Sequence, residues 1–266
     1  MMVTVIGGGV IGEAVARNLS SSGYDVLVTE KRINRVKELK SMGLKVTMDN
    51  KMAAKQARLI ILCVKPKDVE QVLKEVNEEI KGKIVVSLAA AVTLDLLKRL
   101  APEAKFIRVM PNLAIIVRGA FIAYSADPKL SREELKMTAD LLSSLGKVWE
   151  VDESYMDAVT ALSGCAPAYL SLIAEAMMYA GLEVGLSREM ALTIAAQAMI
   201  GTGKLIIEGG KTPSQIRSMV TTPGGVTIEG LFELEKIPIR HAFMSAIKSA
   251  TEKSRKITSA LAEKKH

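Results

Sequence analysis

Cysteine, histidine and aromatic residues are all scarce in this chain, and each scarcity removes a class of function. Cys63 and Cys165 are the only cysteines, each in an apolar setting. That excludes a disulfide framework and Cys/His metal spacing, so no metal is expected. Aromatic side chains make up 4% of the 266 residues, with a single tryptophan at Trp149. Modules that stack nucleobases on aromatic platforms need more, so no nucleic-acid partner is expected. No uncharged apolar run is long enough to span a bilayer. The strand pattern begins at Val3 with no basic leader before an apolar core. Neither a membrane partner nor a signal peptide is expected, and a reducing cytoplasm suits the two thiols.

What is present is core-forming material: 49% of residues are hydrophobic, enough for one large domain or two ordinary ones. The net charge is +7, with the basic side chains spread out and densest over residues 31–40 and 248–265. Both clusters read as solvated helix faces. A basic excess suits an acidic small molecule, such as a phosphate-bearing cofactor or a carboxylate.

The chain opens with an apolar, β-branched run that ends in Gly7-Gly8-Gly9-Val10-Ile11-Gly12. A helix pattern follows with Val10, Ala14, Val15 and Leu19 on one face, then a strand over Val26 to Val28, then Thr29-Glu30. This is strand, G-x-G-x-x-G, helix, strand and an acid, which in a βαβ setting points to dinucleotide binding. The first glycine permits the turn, the second lets a pyrophosphate reach the backbone, and the third packs helix on sheet. Glu30 is placed to bind the ribose hydroxyls of NADH, while Lys31 and Arg32 are placed to hold the 2′-phosphate of NADPH. Both coenzymes therefore stay open.

Strands are expected over 44–47, 59–64, 84–88, 106–109, 120–124 and 147–151, with helices over 33–42, 66–80, 93–100 and 131–145. Alternating short units predict a parallel, doubly wound α/β sheet with ligands beyond its carboxyl ends. The loops at Val64-Lys65-Pro66, Ala89-Ala90-Ala91 and Met110-Pro111-Asn112 are expected there. After residue 152 strand patterns stop, and helices are expected over 154–163, 167–185, 188–208, 213–219, 225–234 and 240–262. These are apolar on too many faces for a small monomeric bundle, so a second subunit is expected to cover them. Domains of 1–152 (Rossmann-type) and 153–266 (all-α, dimerising) follow.

Thr221-Thr222-Pro223-Gly224-Gly225-Val226-Thr227 joins two of those helices. Pro223 suits a first helical position with Thr222 as cap, and the exposed amides suit an anion. Neither histidine, His241 nor His266, lies near a cofactor loop. The segment from Ser163 to Leu172 carries no lysine, so the usual acid or base for reducing a ketone is missing. A protonated imine already carries the charge that draws hydride, and hydroxyl donors without a strong acid fit its reduction better.

At these residues the chain resembles pyrroline-5-carboxylate reductase along essentially its whole length. The stretch from Val220 to Leu231 is similar to the family's Pro-Gly-Gly-x-Thr signature, supported by Val64-Lys65-Pro66, by Arg108-Val109-Met110-Pro111-Asn112, and by Ser163-Gly164 with Pro167-Ala168-Tyr169. The resemblance implies a Rossmann domain, a helical domain that interlocks with a partner as a homodimer or higher oligomer, and reduction of 1-pyrroline-5-carboxylate to L-proline by NADPH or NADH. It implies that Thr227 meets the ring nitrogen, and that Thr222 with the amides of Gly224, Gly225 and Val226 holds the substrate carboxylate. It further implies that Ile6, Gly7, Gly9, Val10, Ile11, Asn50, Val64, Lys65, Pro66, Ala90 and Asn112 line the cofactor site. Departures from the family pattern fall at Val10, Glu30, Ala91, Leu113-Ala114, Cys165-Ala166 and Thr222, where threonine keeps the hydroxyl of a serine. Two other readings stand beside this one: a different imine or ketone reductase of the same fold, and a non-catalytic dinucleotide sensor.

Overall fold

In the computed structural model, which describes residues 1–263, the β-branched runs become strands buried on both faces. The first half begins with β1 (Met2–Ile6), α1 (Val10–Ser21), β2 (Asp25–Thr29), α2 (Ile33–Ser41), β3 (Lys45–Thr47), α3 (Asn50–Gln56) and β4 (Leu59–Leu62). It continues through α4 (Val69–Val76), β5 (Ile84–Ser87), α5 (Leu94–Leu100), β6 (Lys105–Met110), β7 (Ala120–Ala126), α6 (Arg132–Ser143) and β8 (Gly146–Glu150). The sheet order is β3-β2-β1-β4-β5-β6-β7-β8.

Alternate side chains of each strand enter opposite cores, as a period of two requires. Leu59, Ile61, Ile84 and Val86 pack with Val15 and Leu19 of α1 and Leu141 of α6. Ile60, Leu62 and Val85 pack on the other face with Val72 and Leu73 of α4 and Leu97 of α5. Helices on both faces make the expected doubly wound sheet.

Two details differ from the expected pattern. β7 runs antiparallel to β6, while β8 is parallel to β7. The link over 111–119 holds only a 3-10 turn at Leu113–Val117, too short for the crossover of about a dozen residues that a parallel return needs. The unforeseen α3 is a short helix whose start is fixed by Asp49, which accepts from the Met52 amide at 2.9 Å.

The helical half contains α7 (Met156–Val159), α8 (Ala166–Glu183), α9 (Arg188–Ile207), α10 (Pro213–Val220), α11 (Val226–Glu235) and α12 (Ile239–Ala262). The single helix expected over 154–163 is instead a 3-10 turn, α7 and a π-turn at Thr160–Gly164. The Cys165 amide reaches back five residues to the Thr160 carbonyl at 3.1 Å. A Cβ on Gly164 would lie 2.8 Å from Met110 Cε, so the widened turn seats a glycine against the last side chain of β6.

The backbone divides into two compact units, Met1–Pro167 with the chain from Ser249 on, and Ala168–Lys248. Polar ties bind residues 153–167 and 249 onward into the first unit. Glu153 accepts from Arg108 Nη1 at 2.9 Å and from the Leu94 amide at 2.7 Å. Asp157 Oδ1 accepts from Ser254 Oγ at 2.6 Å and Thr258 Oγ1 at 2.9 Å.

In the second unit Met178, Ala191 and Ala195 are the buried side chains. Gly181 lets α8 and α9 approach, since a Cβ there would lie 2.6 Å from Ala191 Cβ. Large apolar side chains stand open around the remaining faces: Val226 is 92% exposed, Ile207 82% and Val184 77%. Two helical stretches, Glu153–Glu183 and Arg188–Ile207, have the length and apolar composition to cross a membrane, with 11% of each apolar window buried.

Candidate functional site

In the first unit, three glycines shape the turn between β1 and α1 in three ways. Gly7 has φ +106°, and a Cβ there would meet the Cys63 carbonyl oxygen at 2.7 Å. A Cβ on Gly12 would lie 1.8 Å from the Gly7 oxygen. Gly9, the N-cap of α1, faces open space, with nothing within 4 Å of a Cβ. No side chain caps α1, so its first amides are presented over that space. This is the cradle a pyrophosphate needs, and the residues fit a dinucleotide.

Beside the turn, a cleft of about 510 Å³ is lined by residues from the carboxyl ends of β1, β2 and β4 and from α4. Of the expected cofactor residues, Ile6, Gly7, Gly9, Glu30, Lys31, Asn50, Val64 and Lys65 line it. Asn50 Nδ2 donates to Glu75 Oε2 at 3.0 Å across the cleft wall. Val10, Ile11, Pro66, Ala90 and Asn112 do not line it. Val10 and Ile11 open α1 at its edge, and Pro66 starts the 3-10 turn at Pro66–Asp68. Asn112 spends both ends of its amide within the protein: Oδ1 accepts from the Ala114 amide at 3.1 Å and Nδ2 donates to Ser163 Oγ at 3.3 Å. Ala90 stands exposed after β5, next to Ala91, whose φ of +63° is left-handed.

Sequence reasoning missed Met48, Lys67, Gln71 and Glu75 in the lining. Gln71 and Glu75 lie one helical turn apart on α4, a spacing that was readable once α4 was known to flank the cleft. It also missed Arg35, which donates from Nε to the Gly8 carbonyl at 2.8 Å and pairs with Glu13 and with Glu38. Arg35 thereby pins the glycine turn to both flanking helices.

Glu30 is buried, and its carboxylate is gripped by Arg32. Oε1 accepts from the Arg32 amide at 2.9 Å and from Nε at 3.0 Å, and Oε2 accepts from Nη2 at 2.9 Å. These hydrogen bonds, with the guanidinium charge, hold the carboxyl below its ordinary range against the opposing effect of burial. Cys63 retains a little surface in the cleft, yet burial pushes its thiol up to about 12. It is a thiol at neutral pH, not a nucleophile.

In the second unit, Thr221 Oγ1 donates to the Arg217 carbonyl at 2.7 Å and finishes α10. The Gly225 amide donates to the Thr222 carbonyl at 3.0 Å, closing a turn with Pro223 and Gly224 at its centre. Gly224 has φ +66°, as the third residue of a type II turn requires. The expected cap at Thr222 with Pro223 opening the helix is therefore corrected: the left-handed Gly224 delays the start, Gly225 is the N-cap, and α11 begins at Val226. Thr227 is its second residue. A Cβ on Gly225 would lie 2.3 Å from Thr222 Oγ1, so that glycine makes room for the hydroxyl. No side chain caps α11. The Gly225 amide is engaged by the turn, while Thr222, Gly224, Val226 and Thr227 all stand exposed. His241 lies exposed on α12, with a ring nitrogen 3.2 Å from Ser245 Oγ. His266 lies outside the described residues.

A doubly wound sheet with an open glycine turn, joined to helices of largely uncovered apolar surface, defines a dinucleotide-binding protein. The chain is 36% identical over 264 residues to the pyrroline-5-carboxylate reductase of Corynebacterium melassecola, covering 96% of this chain and 98% of that one. It belongs to the pyrroline-5-carboxylate reductase family. The reductase of Methanosarcina acetivorans is likewise 36% identical, covering 95% of this chain and 96% of its own. The family model for pyrroline-5-carboxylate reductase dimerisation matches residues 153–257, and one for NADP oxidoreductase, coenzyme F420-dependent, matches residues 2–91. Among solved structures, pyrroline-5-carboxylate reductase from Coxiella burnetii superposes with TM-score 0.88 at 28% identity, covering 96% of this chain and 97% of that one. Plasmodium falciparum pyrroline carboxylate reductase with NADP bound gives 0.86 at 26% identity, covering 97% and 98%.

Proposed function

We propose that this chain reduces 1-pyrroline-5-carboxylate to L-proline with NADPH or NADH, the last step of proline biosynthesis. One conjunction carries the reading: an open dinucleotide turn and a hydroxyl-bearing helix start, in a chain related along nearly its full length to reductases of that name. Ile6, Gly7, Gly9, Glu30, Lys31, Asn50, Val64 and Lys65 line the coenzyme cleft, with Val10, Ile11, Pro66, Ala90 and Asn112 at its margins. A nicotinamide coenzyme held in that cleft would supply the hydride that reduces the imine carbon. The chain's own residues bind and orient. Thr222 and the amides opening α11 hold the substrate carboxylate, where the helix N-terminus favours negative charge. The Thr227 hydroxyl hydrogen-bonds the ring nitrogen and sets the imine plane. The nitrogen keeps its proton and ends as an amine, so no histidine is required.

Residues 1–152 carry the dinucleotide function and 153–266 the substrate and dimerisation functions, although 153–167 and the chain from Ser249 on pack with the first compact unit. The open apolar side chains of α8, α9 and α11 are the surface through which two copies form a homodimer, with a higher oligomer as an extension. Dimerisation also gives the two apolar helical stretches a use that needs no membrane, in a cytoplasmic enzyme.

The test is a rate comparison with NADH and NADPH on pyrroline-5-carboxylate. Production of proline with either coenzyme supports the reading. Turnover of other cyclic imines without this one would mark a different reductase, and tight coenzyme binding with no turnover a sensor.

A further inference from the structure

An acid at the end of β2 would ordinarily repel a phosphate on the adenosine ribose. Here its charge is already matched. Three hydrogen bonds of 2.9–3.0 Å, all from Arg32, engage the Glu30 carboxylate. The carboxylate is held inward: its side chain is 5% exposed, and Oε2 lies 3.4 Å from where a Gly8 Cβ would be. The Arg32 side chain is 61% exposed and lines the cleft with Lys31. Its Nη1 edge makes no hydrogen bond among the described residues. Lys31 and Arg32 thus stand together after β2, and the carboxylate between β2 and them, Glu30, is spent on holding Arg32; Asp68 and Glu75 also line the cleft, with Lys65 and Lys67 beside them. Arg35 adds no free charge, because it is paired with Glu13 and Glu38.

We propose that Arg32 is the coenzyme selector: by neutralising Glu30 and offering its free guanidinium edge beside Lys31, it admits a 2′-phosphorylated adenosine to a cleft that Glu30 alone would close to it. This rests on the dinucleotide reading of the cleft and adds which residue sets the choice between coenzymes. Glu30 acts as the positioning residue for Arg32. Removing Arg32 therefore does two things at once: it takes away the phosphate's partner and releases the repulsion of Glu30. Removing Glu30's charge as well cancels the second effect.

The experiment is calorimetric titration with 2′,5′-ADP and with 5′-AMP, which differ only in the 2′-phosphate, on wild type, Arg32→Ala, Glu30→Gln and the double variant. Arg32→Ala is expected to weaken 2′,5′-ADP binding by at least about tenfold, from the lost charge-assisted hydrogen bond and the released repulsion together, with 5′-AMP little changed. Adding Glu30→Gln is expected to recover at least about threefold of that loss, since it removes the Coulomb repulsion of the unpaired carboxylate while the lost partner stays lost. Arg32→Lys, which keeps the charge but loses the fork, is expected to fall between wild type and Arg32→Ala. A smaller loss in Arg32→Ala, or a loss that Glu30→Gln does not relieve, overturns the proposal. The two nucleotides carry no hydride, so failure of the imine substrate in the rate assay would leave these titrations intact, and the two ideas fall separately.

Discussion

A methyl group added at Gly9 and one added at Gly12 should have opposite consequences, though the two residues share one turn. At Gly12 the new Cβ would sit 1.8 Å from the Gly7 oxygen, where real contacts stay above 3.0 Å. The Gly7 backbone has little freedom to retreat: its amide donates to the Thr29 carbonyl at 3.0 Å, and its own α-carbon faces the Cys63 carbonyl. Relief needs a backbone shift of roughly 1 Å, at a cost of about 3 kcal/mol or more. For a chain of this size that lowers Tm by about 6–12 °C. At Gly9 the methyl enters open space, and the backbone (φ −69°, ψ −170°) suits any residue. The fold loses only the preference for glycine over alanine as N-cap, about 0.5–1 kcal/mol, and Tm falls by less than about 4 °C. The same methyl occupies the approach to the α1 amides, so Gly9→Ala should weaken NADPH binding by about ten- to a hundredfold through loss of one charge-assisted hydrogen bond. Thermal melts without coenzyme and fluorescence titration with NADPH separate the two effects. Wild-type NADPH affinity in Gly9→Ala, or a Gly12→Ala variant that melts with wild type, would refute the reasoning.

Three further outcomes are expected. Thr227→Ala should lower kcat about tenfold or more while leaving coenzyme affinity within about twofold, the signature of a contact made to the reacting group alone; wild-type turnover removes Thr227 from the chemistry. Ala91→Gly should be close to neutral in stability, because relief of a left-handed residue, about 1–2 kcal/mol, is offset by unfolded-state entropy of about 0.4–1 kcal/mol and a lost buried methyl of about 0.8 kcal/mol; a large loss in a urea melt would show that the position carries no strain. Cys63 should resist iodoacetamide at pH 8 in the folded protein and react once unfolded. Because its folded pKa is raised from 9.0 to about 12, its contribution to stability is full below about pH 9 and is lost as pH rises towards 12. Alkylation of the native thiol at the free rate would contradict the burial.

Strand positions were legible because sheet burial on both faces leaves unbroken β-branched runs such as Leu59–Leu62. The direction of β7 was not, because it depends on a connection length that only the finished sheet makes meaningful. The helix over 225–234 was expected within a residue of α11, but its cap was misread because Thr-Pro looks locally like a cap and first residue. The left-handed Gly224 that displaces it is chosen by the turn hydrogen bond between Gly225 and Thr222, not by either residue alone. The glycine turn was fully legible, since each of its three positions answers to a steric demand. Arg32 was noted as a cation and Glu30 as an acid. That they hold each other could not be read, because residues two apart face each other only where β2 bends into α2.

The chain's return to the first unit has a kinetic meaning during synthesis. Asp157 finds its hydroxyl partners at Ser254 and Thr258, with sequence separations of 97 and 101. At the usual rate of elongation, about 5–20 residues per second, that carboxylate waits roughly 5–20 s for its partners after it has left the ribosome. During that interval the sheet and its glycine turn have all their own residues in hand, while the segment that closes over Asp157 is still being made. Closure of this unit therefore follows synthesis of the whole of Ala168–Lys248, which lies between Asp157 and its partners.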